Sequence, residues 1–195
     1  MKILVATNNQ NKIREINQIA KQILNEKIEF ILPKDLKINI EPEEVFNTFE
    51  ENAKLKAIEF YKNSNLPTVA DDSGLEISAL NNLPGVNSAN FAEPHNDKAN
   101  RKKVLELLKN EKNRNAKFRT VIAFYDGTET KYFTGECKGE ITVEERGLNG
   151  FGYDSIFVPE NYSQTFAEIN IEEKNKISHR YKAIFAFCSY LLHRI

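Results

Sequence analysis

Two adjacent carboxylates, Asp71 and Asp72, follow a short apolar run over residues 67–70. This pattern predicts a buried strand, then an Asp-Asp-Ser-Gly turn over residues 71–74, then a second strand over residues 75–77. Paired carboxylates at a buried strand end repel each other and lose hydration, unless a cation offsets both costs. Mg²⁺ can do so, because it takes carboxylate oxygens and usually also binds phosphates. The alternative is a solvated turn, and this motif alone leaves both interpretations open.

A polar segment separates the first predicted strand from the first predicted helix. Its backbone N–H groups and the positive end of the helix dipole would make it an anion site, to which Lys12 adds a full charge. Plain helix capping is the alternative interpretation. The segment is not a P-loop, because the G-x-x-x-x-G-K-[ST] pattern is absent from the chain. Its members are Thr7, Asn8, Asn9, Gln10, Asn11 and Lys12.

Further acids, Glu41, Glu43 and Glu44, lie in a proline-containing loop over residues 41–46. A run of acids is usually a solvated face. It becomes a metal-site candidate only if the fold brings it beside Asp72.

A glycine-rich loop over residues 147–154 contains two aromatic residues and ends in Asp154. A planar heterocycle could stack on an aromatic ring there while backbone groups and the acid contact its edge. The glycine order differs from the G-x-G-x-x-G dinucleotide motif. A tight loop with core aromatics is the alternative.

The triplet Ser178, His179 and Arg180 lies where the last predicted helix begins. Arginine can bind phosphate with two parallel hydrogen bonds, and histidine can donate to a base or a phosphate oxygen. A charged helix start with a capping serine is the alternative. His95 and His193 show no ligand spacing with His179, which disfavours zinc.

The apolar pattern predicts the elements that position these residues. A strand over residues 2–6 precedes a helix, and a second strand follows over residues 28–32. The helix has an amphipathic stripe formed by Ile13, Ile16, Ala20, Ile23 and Leu24. Thr48 and Glu51 have the spacing of a capping box and predict a second helix that runs through Tyr61.

In the second half of the chain, the sequence pattern predicts a helix over residues 96–108 and a last helix from Ser178. Between them, β segments over residues 118–124 and 131–142 flank Asp126-Gly127, which predicts a type I′ hairpin. Together, the patterns predict an α/β fold with a central mixed β-sheet flanked by helices and a β-hairpin extension.

The composition limits the class of protein. With 195 residues, 41% of them hydrophobic and 28% charged, the chain predicts a single domain over residues 1–195, with room for two lobes. A formal charge of −1 disfavours binding to a nucleic acid polymer. Cys137 and Cys188 lack a C-x-x-C spacing, and we expect them to be buried and reduced. The apolar start is too short for a signal peptide and no run approaches the ~20 residues that span a bilayer, so we expect a cytoplasmic protein without a membrane partner.

Six segments, taken in order over nearly the whole chain, resemble the inosine triphosphate pyrophosphatase family of noncanonical purine nucleoside triphosphate pyrophosphatases. Six ordered matches make a chance resemblance very improbable. They are ATNNQNK at residues 6–12, FEENAKLKA at 49–57, ADDSGL at 70–75, LPGV at 83–86, GFGYD at 150–154 and ISHR at 177–180.

The resemblance implies hydrolysis of ITP, dITP and XTP to the nucleoside monophosphate and pyrophosphate, which cleanses the nucleotide pool. It also implies a Mg²⁺ requirement, a homodimer, and an elongated fold with the active site in a cleft between two lobes. Asp72 looks like the general base and a metal ligand, with Glu44 as its metal partner and Glu43 as the second choice.

The resemblance also implies substrate contacts. Residues 7–12 look like the triphosphate cradle, in which Lys12 would stabilise the pyrophosphate leaving group. Residues implied at the substrate and its base are Ser73, Phe151, Gly152, Tyr153, Asp154, Lys174, His179 and Arg180.

Two positions depart from the commonest family sequence. Asn8 stands where a glycine is usual, and Ser155 stands where a proline is usual, which predicts a less rigid base-binding loop. Neither departure removes a charged functional group.

Two other functions remain open. One is a Maf-like pyrophosphatase for pyrimidine or modified nucleotides, which the GFGYD and SHR segments disfavour. The other is a nucleotide sensor without catalysis, which would have no need for a general base at Asp72.

Overall fold

Six strands and five helices form the structure, a computed structural model that describes residues 1–24 and 28–194. The strands are β1 (Lys2–Val5), β2 (Glu29–Ile31), β3 (Thr68–Ile77), β4 (Asn115–Tyr125), β5 (Thr130–Ile141) and β6 (Phe157–Pro159). The helices are α1 (Gln10–Leu24), α2 (Phe49–Ser64), α3 (Asp97–Leu107), α4 (Ile171–Ile177) and α5 (His179–Leu192).

The strands form one mixed sheet in the order β2-β1-β3-β4-β5-β6. β1 runs parallel to β2, with Ile3 opposite Phe30, and parallel to β3, with Leu4 opposite Thr68. β5 and β6 are antiparallel, with Glu140 opposite Val158. The α/β class and the central mixed sheet are therefore confirmed.

The chain divides into two compact units. Unit 1 comprises Met1–Asp72, Thr120–Gly135 and Arg180–Ile195, and unit 2 comprises Ser73–Arg119 and Glu136–His179. The chain passes from one unit to the other within β3, β4 and β5 and after the first residue of α5. A single domain with a cleft between two lobes stays a prediction.

Each unit has its own hydrophobic cluster. In unit 1, Val5, Val69 and Ile122 of the sheet pack against apolar side chains of α1 and α5, including Phe187. In unit 2, Phe118, Phe157 and Phe166 pack together with Leu75, Ile77 and Ile156. Cys188 belongs to the first cluster and Cys137 to the second, and both are buried and not disulfide-bonded, as expected.

The helix that carries much of the site begins at a side-chain cap. The Thr48 hydroxyl accepts a hydrogen bond from the Glu51 backbone N–H at 3.2 Å and donates one to the Glu51 carboxylate at 2.6 Å. The predicted start of α2 is confirmed. The helix ends at Asn65, whose left-handed φ of 54° stops the chain from continuing helically.

The expected turn over residues 71–74 is wrong, because this segment lies inside the ten-residue strand β3. Val69 and Ala70 before the acids are buried, and so are Leu75 and Ile77 after them. A continuous strand keeps both apolar pairs in the core, and this packing outweighs the turn preference of Asp, Ser and Gly.

The expected type I′ hairpin is also wrong. A type I′ turn needs a positive φ at both central residues of a two-residue loop, whereas β4 and β5 are joined by residues 126–129 and only Gly127 among them has a positive φ, of 103°. The Asp126 carboxylate accepts hydrogen bonds from the backbone N–H groups of Thr128 and Glu129 and closes this longer loop. Both strands lie within the central sheet.

The last helix starts at His179, one residue later than expected, because Ser178 has an extended backbone. The short helix α4, which ends directly before Ser178, was not predicted from the sequence. Within the described ranges, no helix is long and apolar enough to cross a membrane.

We predict that Phe187→Ala lowers the free energy of unfolding by about 3–5 kcal/mol, because a large buried ring is replaced by a cavity. Phe187 is 2% exposed and its ring centroid lies 5.4 Å from that of Phe124. Urea denaturation followed by circular dichroism gives the measurement. Phe185→Ala is the matched control, because Phe185 lies on the same helix but is 47% exposed. Equal losses for both variants would contradict the assigned core.

Candidate active site

Asp71 and Asp72 lie side by side in β3, and both are buried. The Lys12 ammonium, on α1, lies 2.8 Å from Asp71 Oδ2. Asn52, on α2, donates a side-chain hydrogen bond to Asp72 Oδ2 at 3.2 Å. Each carboxylate therefore has a polar partner on a different helix of unit 1.

Lys56 joins the acidic loop to the strand. Its Nζ lies 2.7 Å from Glu44 Oε1, 2.5 Å from the Asp71 carbonyl oxygen and 3.9 Å from Asp72 Oδ1. Burial alone would lower the pKa of Lys56, but the carboxylates of Asp72, Glu44 and Asp71 outweigh that effect and raise it. The ammonium group therefore stays charged at neutral pH.

Asp71 is the fixed anion of the pair. Burial would raise the pKa of its carboxyl, but Lys12, Arg180 and Lys56 outweigh burial and hold the pKa well below the ordinary range. Arg180 Nε lies 3.9 Å from Asp71 Oδ2, and the same guanidinium forms a buried ion pair with Glu15 of α1. Asp71 is thus ionised throughout the physiological range.

Asp72 behaves differently although it is the next residue. Burial raises the pKa of its carboxyl to about 6, Lys56 opposes the rise, and the negative charge of Glu44 adds to it. A carboxylate whose pKa lies close to neutrality can accept a proton at neutral pH and later release it. The raised pKa of Asp72 therefore suits a general base.

The acidic loop brings one of its glutamates to the strand. Glu43 and Glu44 are both exposed, but the Glu44 carboxylate contacts Lys56 Nζ, which also lies near Asp72. Among residues 1–24 and 28–194, no group of three or more His, Cys, Asp or Glu side chains is placed to hold a metal ion. A metal at Glu44 and Asp72 would therefore take its other ligands from water and from phosphate, as Mg²⁺ commonly does.

The polar segment of residues 7–12 contains the cap and the first residues of α1. Asn9 Oδ1 accepts hydrogen bonds from the backbone N–H groups of Asn11 and Lys12, and Thr7 Oγ1 accepts one from Asn9 N–H. The capping interpretation is therefore correct for these amides. The side chains of Asn8, Asn9 and Gln10 remain exposed to solvent, so an anion could still meet them.

A second group of expected site residues lies in unit 2. Lys174 Nζ lies 2.7 Å from Asp154 Oδ2, and both side chains are more than 90% buried. The same Asp154 oxygen accepts the backbone N–H of Phe151 at 2.9 Å, and Lys174 Nζ lies 5.1 Å from the Phe151 ring centroid. The structure thus brings the aromatic ring and the acid of this loop together with a lysine of α4.

The remaining residues fall on both sides of the unit boundary. His179 is buried in unit 2 and stacks on Phe118, with ring centroids 4.6 Å apart. Tyr153 is buried and donates its hydroxyl hydrogen to the Ser88 carbonyl. Ser73 follows Asp72 in β3, at the first position of unit 2. Arg180 lies with Asp71 and Glu15 in unit 1.

Lys56, Asn52 and Glu15 are site residues that sequence reasoning missed. Asn52 and Lys56 are four residues apart in the FEENAKLKA segment and therefore lie on one face of α2, which was a usable signal. Glu15 is a charged residue next to Ile16 in the apolar stripe of α1, and such a placement indicates a buried partner.

Comparison with known proteins identifies relatives over nearly the whole chain. The sequence model of the Ham1 family matches residues 3–190. A dITP/XTP pyrophosphatase from Aquifex aeolicus is 47% identical over 195 residues, which cover 94% of this chain and 93% of the relative. The Staphylococcus aureus Ham1 protein superposes with a TM-score of 0.90 at 39% identity, covering 100% of each chain. A HAM1 protein from Coxiella burnetii gives 0.91 at 38% identity, covering 99% of each.

We predict opposite stability changes for the two neighbouring acids at pH 7. Asp72→Asn should raise the free energy of unfolding by roughly 2–3 kcal/mol, because it removes a carboxylate that burial disfavours. Asp71→Asn should lower it by roughly 3 kcal/mol, because the cations of Lys12 and Arg180 lose their anion. Urea denaturation in chelator-containing buffer measures both.

The pH dependence has opposite signs as well. The folded-state pKa of Asp72, about 6, lies above its ordinary value of 3.8, so its contribution favours folding below about pH 4 and is lost as pH rises through 6. The pKa of Asp71 is lowered, so its contribution is present above 3.8 and is lost as pH falls below that value. Changes of the same sign in the two variants would contradict the assignment.

Proposed function

This chain belongs to the Ham1 family, and we propose that it hydrolyses the noncanonical purine nucleoside triphosphates ITP, dITP and XTP to the nucleoside monophosphate and pyrophosphate. The observation that carries the proposal is the buried Asp72, whose pKa of about 6 equips it as a base beside the cations Lys56 and Lys12. Relatives at 40–47% identity are named dITP/XTP pyrophosphatases.

Asp72 would activate the attacking water. The water oxygen bonds to the α-phosphorus, the bond between that phosphorus and the oxygen bridging to the β-phosphorus breaks, and Asp72 accepts the proton of the water. Asn52 keeps the carboxylate oriented through its hydrogen bond to Oδ2. General base catalysis of this kind typically contributes 10²–10⁴-fold in rate.

We assign Mg²⁺ as the cofactor, held by Asp72 and Glu44, with Glu43 as the second choice. Two carboxylates and phosphate oxygens form the hard oxygen ligand set that this ion prefers. When bound, the ion would neutralise phosphate charge and lower the pKa of a bound water. Lys56 already contacts oxygens of Glu44 and Asp72, so this position attracts cations.

The triphosphate would meet the side chains of residues 7–12, of which Asn8, Asn9 and Gln10 are exposed. The amides of Asn11 and Lys12 are occupied by Asn9, so the side chains of Thr7, Asn8, Asn9 and Gln10 are the donors at hand. The Lys12 ammonium group, which pairs with Asp71, would also stabilise the negative charge on the leaving pyrophosphate.

The purine would meet the group in unit 2. We assign base contacts to Phe151, Gly152, Tyr153, Asp154, Lys174, His179 and Arg180, and a substrate contact to Ser73. Hypoxanthine and xanthine carry a 6-oxo acceptor where adenine carries an amine. A donor aimed at that oxygen would face another donor in adenine, which costs ~1–3 kcal/mol, or roughly tenfold to a hundredfold in selectivity.

Two further assignments rest on the sequence and the resemblance, and we propose them for the same reasons. The protein would act in the cytoplasm and as a homodimer. Analytical ultracentrifugation of the purified chain tests the second assignment.

Product analysis distinguishes the proposal from its alternatives. With ITP and Mg²⁺, we expect IMP and pyrophosphate, and the Asp72→Asn variant should lose ~10²–10⁴ in kcat. Release of IDP and orthophosphate would contradict the assigned bond. Preference for a pyrimidine triphosphate would support the Maf-like alternative, and binding of ITP without turnover would support the sensor.

A second experiment tests the metal ligands. Chelator should abolish turnover and Mg²⁺ should restore it, and Glu44→Gln should raise the Mg²⁺ concentration for half-maximal rate by roughly tenfold. Glu43→Gln is the matched control, because Glu43 is exposed like Glu44 and carries the same charge in the same loop, whereas it is Glu44 that pairs with Lys56 beside Asp72. A larger effect at Glu43 would exchange the two assignments.

A further inference from the structure

We infer that Asp97 and Arg101 of α3 are positioning residues that hold the loop of residues 150–154 in its base-binding shape, with Gly152 as the point of attachment. The inference rests on the proposed function, because it takes this loop as the base site. Neither residue belongs to the segments that carry the resemblance. All the residues that carry the argument lie within unit 2.

Both backbone polar groups of Gly152 are bound by side chains of one helix. Its N–H donates to Asp97 Oδ2 at 2.8 Å, and its carbonyl oxygen accepts from Arg101 Nη1 at 2.8 Å. Asp97 and Arg101 are four residues apart, so they lie on the same face of α3. One helix face therefore fixes the orientation of both peptide groups that flank the Gly152 Cα.

The loop depends on such contacts because it is neither helix nor strand at Gly152. The residue has a left-handed φ of 60°, and Gly150 has a φ of 78°. Glycines lose more conformational freedom on ordering than other residues, so a loop with two of them needs external partners to keep one shape. Charged side chains supply the strongest hydrogen bonds for that purpose.

Arg101 is itself held in place. Glu145 Oε2 accepts its Nε–H at 2.9 Å, and the Ser155 hydroxyl donates to the same oxygen at 3.0 Å. Ser155 stands where the resembling family usually has a proline. In this chain a hydrogen-bonded series runs from Ser155 through Glu145 and Arg101 to Gly152.

Helix α3 and Tyr153 are both hydrogen-bonded to the segment of residues 88–92. Asn100 of α3 is 1% exposed, accepts the Ala92 N–H at 2.6 Å and donates to the Ala89 carbonyl at 3.0 Å. The Tyr153 hydroxyl donates to the Ser88 carbonyl at 2.7 Å. Helix and loop are thus attached to neighbouring residues, which fixes their relative position.

This arrangement predicts an effect on binding of the purine and not on the chemical step. The groups assigned to proton transfer and phosphate binding lie in unit 1, whereas Asp97 and Arg101 contact Gly152. Loss of either side chain should raise KM for ITP by about tenfold, the scale of one charged hydrogen bond, with kcat changed by less than about twofold.

The experiment compares Asp97→Ala and Arg101→Gln with Lys102→Gln. Lys102 is the matched control because it lies on the same helix, its side chain is 75% exposed, and its substitution changes the charge as Arg101→Gln does. Asp97→Asn retains a side-chain oxygen that can accept the Gly152 N–H, so it should recover most of the affinity. Tripolyphosphate, which has no base, should inhibit all variants equally well.

Amide hydrogen exchange over residues 150–154, without substrate, gives a second readout. We expect faster exchange there in Asp97→Ala and Arg101→Gln and no change in Lys102→Gln. Exchange equal to the control, or a fall in kcat with unchanged KM, would overturn the inference. If Arg101→Gln does not fold, Asp97→Ala and Ser155→Ala test the same series. A wild-type protein that leaves ITP intact would remove the proposed function, and the exchange rates would still decide whether the two residues hold the loop.

Discussion

The structure of unit 1 depends on keeping two adjacent carboxylates buried in one strand. Taking an ion out of water costs several kcal/mol, and the cost of two such neighbours must be met by cations. Three helices supply them: α1 brings Lys12, α2 brings Lys56 and α5 brings Arg180. The packing of these helices on the sheet is therefore constrained by charge as well as by apolar contacts.

The unequal sharing of these cations gives the two acids different chemistry. Asp71 receives most of the positive charge and is locked as an anion, whereas Asp72 shares Lys56 with Glu44 and keeps a pKa near neutrality. In unit 2 the corresponding problem is solved by an ion pair, in which Lys174 and Asp154 are buried together. A buried ion pair of this kind gives a fixed shape, whereas the shared cations of unit 1 leave the pKa of Asp72 near neutrality.

The features that sequence could predict are local. The cap at Thr48 involves a residue three positions away, and the stripe of α1 repeats every three or four residues, so each signal is complete within one element. The continuous course of β3 depends on packing around it, which no short window contains. The contacts of Lys56 with Glu44 and with Asp71 join residues 12 and 15 positions apart. The FEENAKLKA segment was therefore recognised from the sequence, but the contacts of Lys56 with the acids were not.

The two buried thiols have a practical consequence. Burial raises the pKa of Cys188 to about 12, so almost no reactive thiolate is present in the folded state at neutral pH. Cys188 lies in the core of unit 1 and Cys137 in the core of unit 2. Alkylating reagents will therefore report local opening. Peptide mapping then identifies the labelled cysteine, and with it the unit that opened. The chain thus carries one native probe of conformational opening in each unit, without any engineered label.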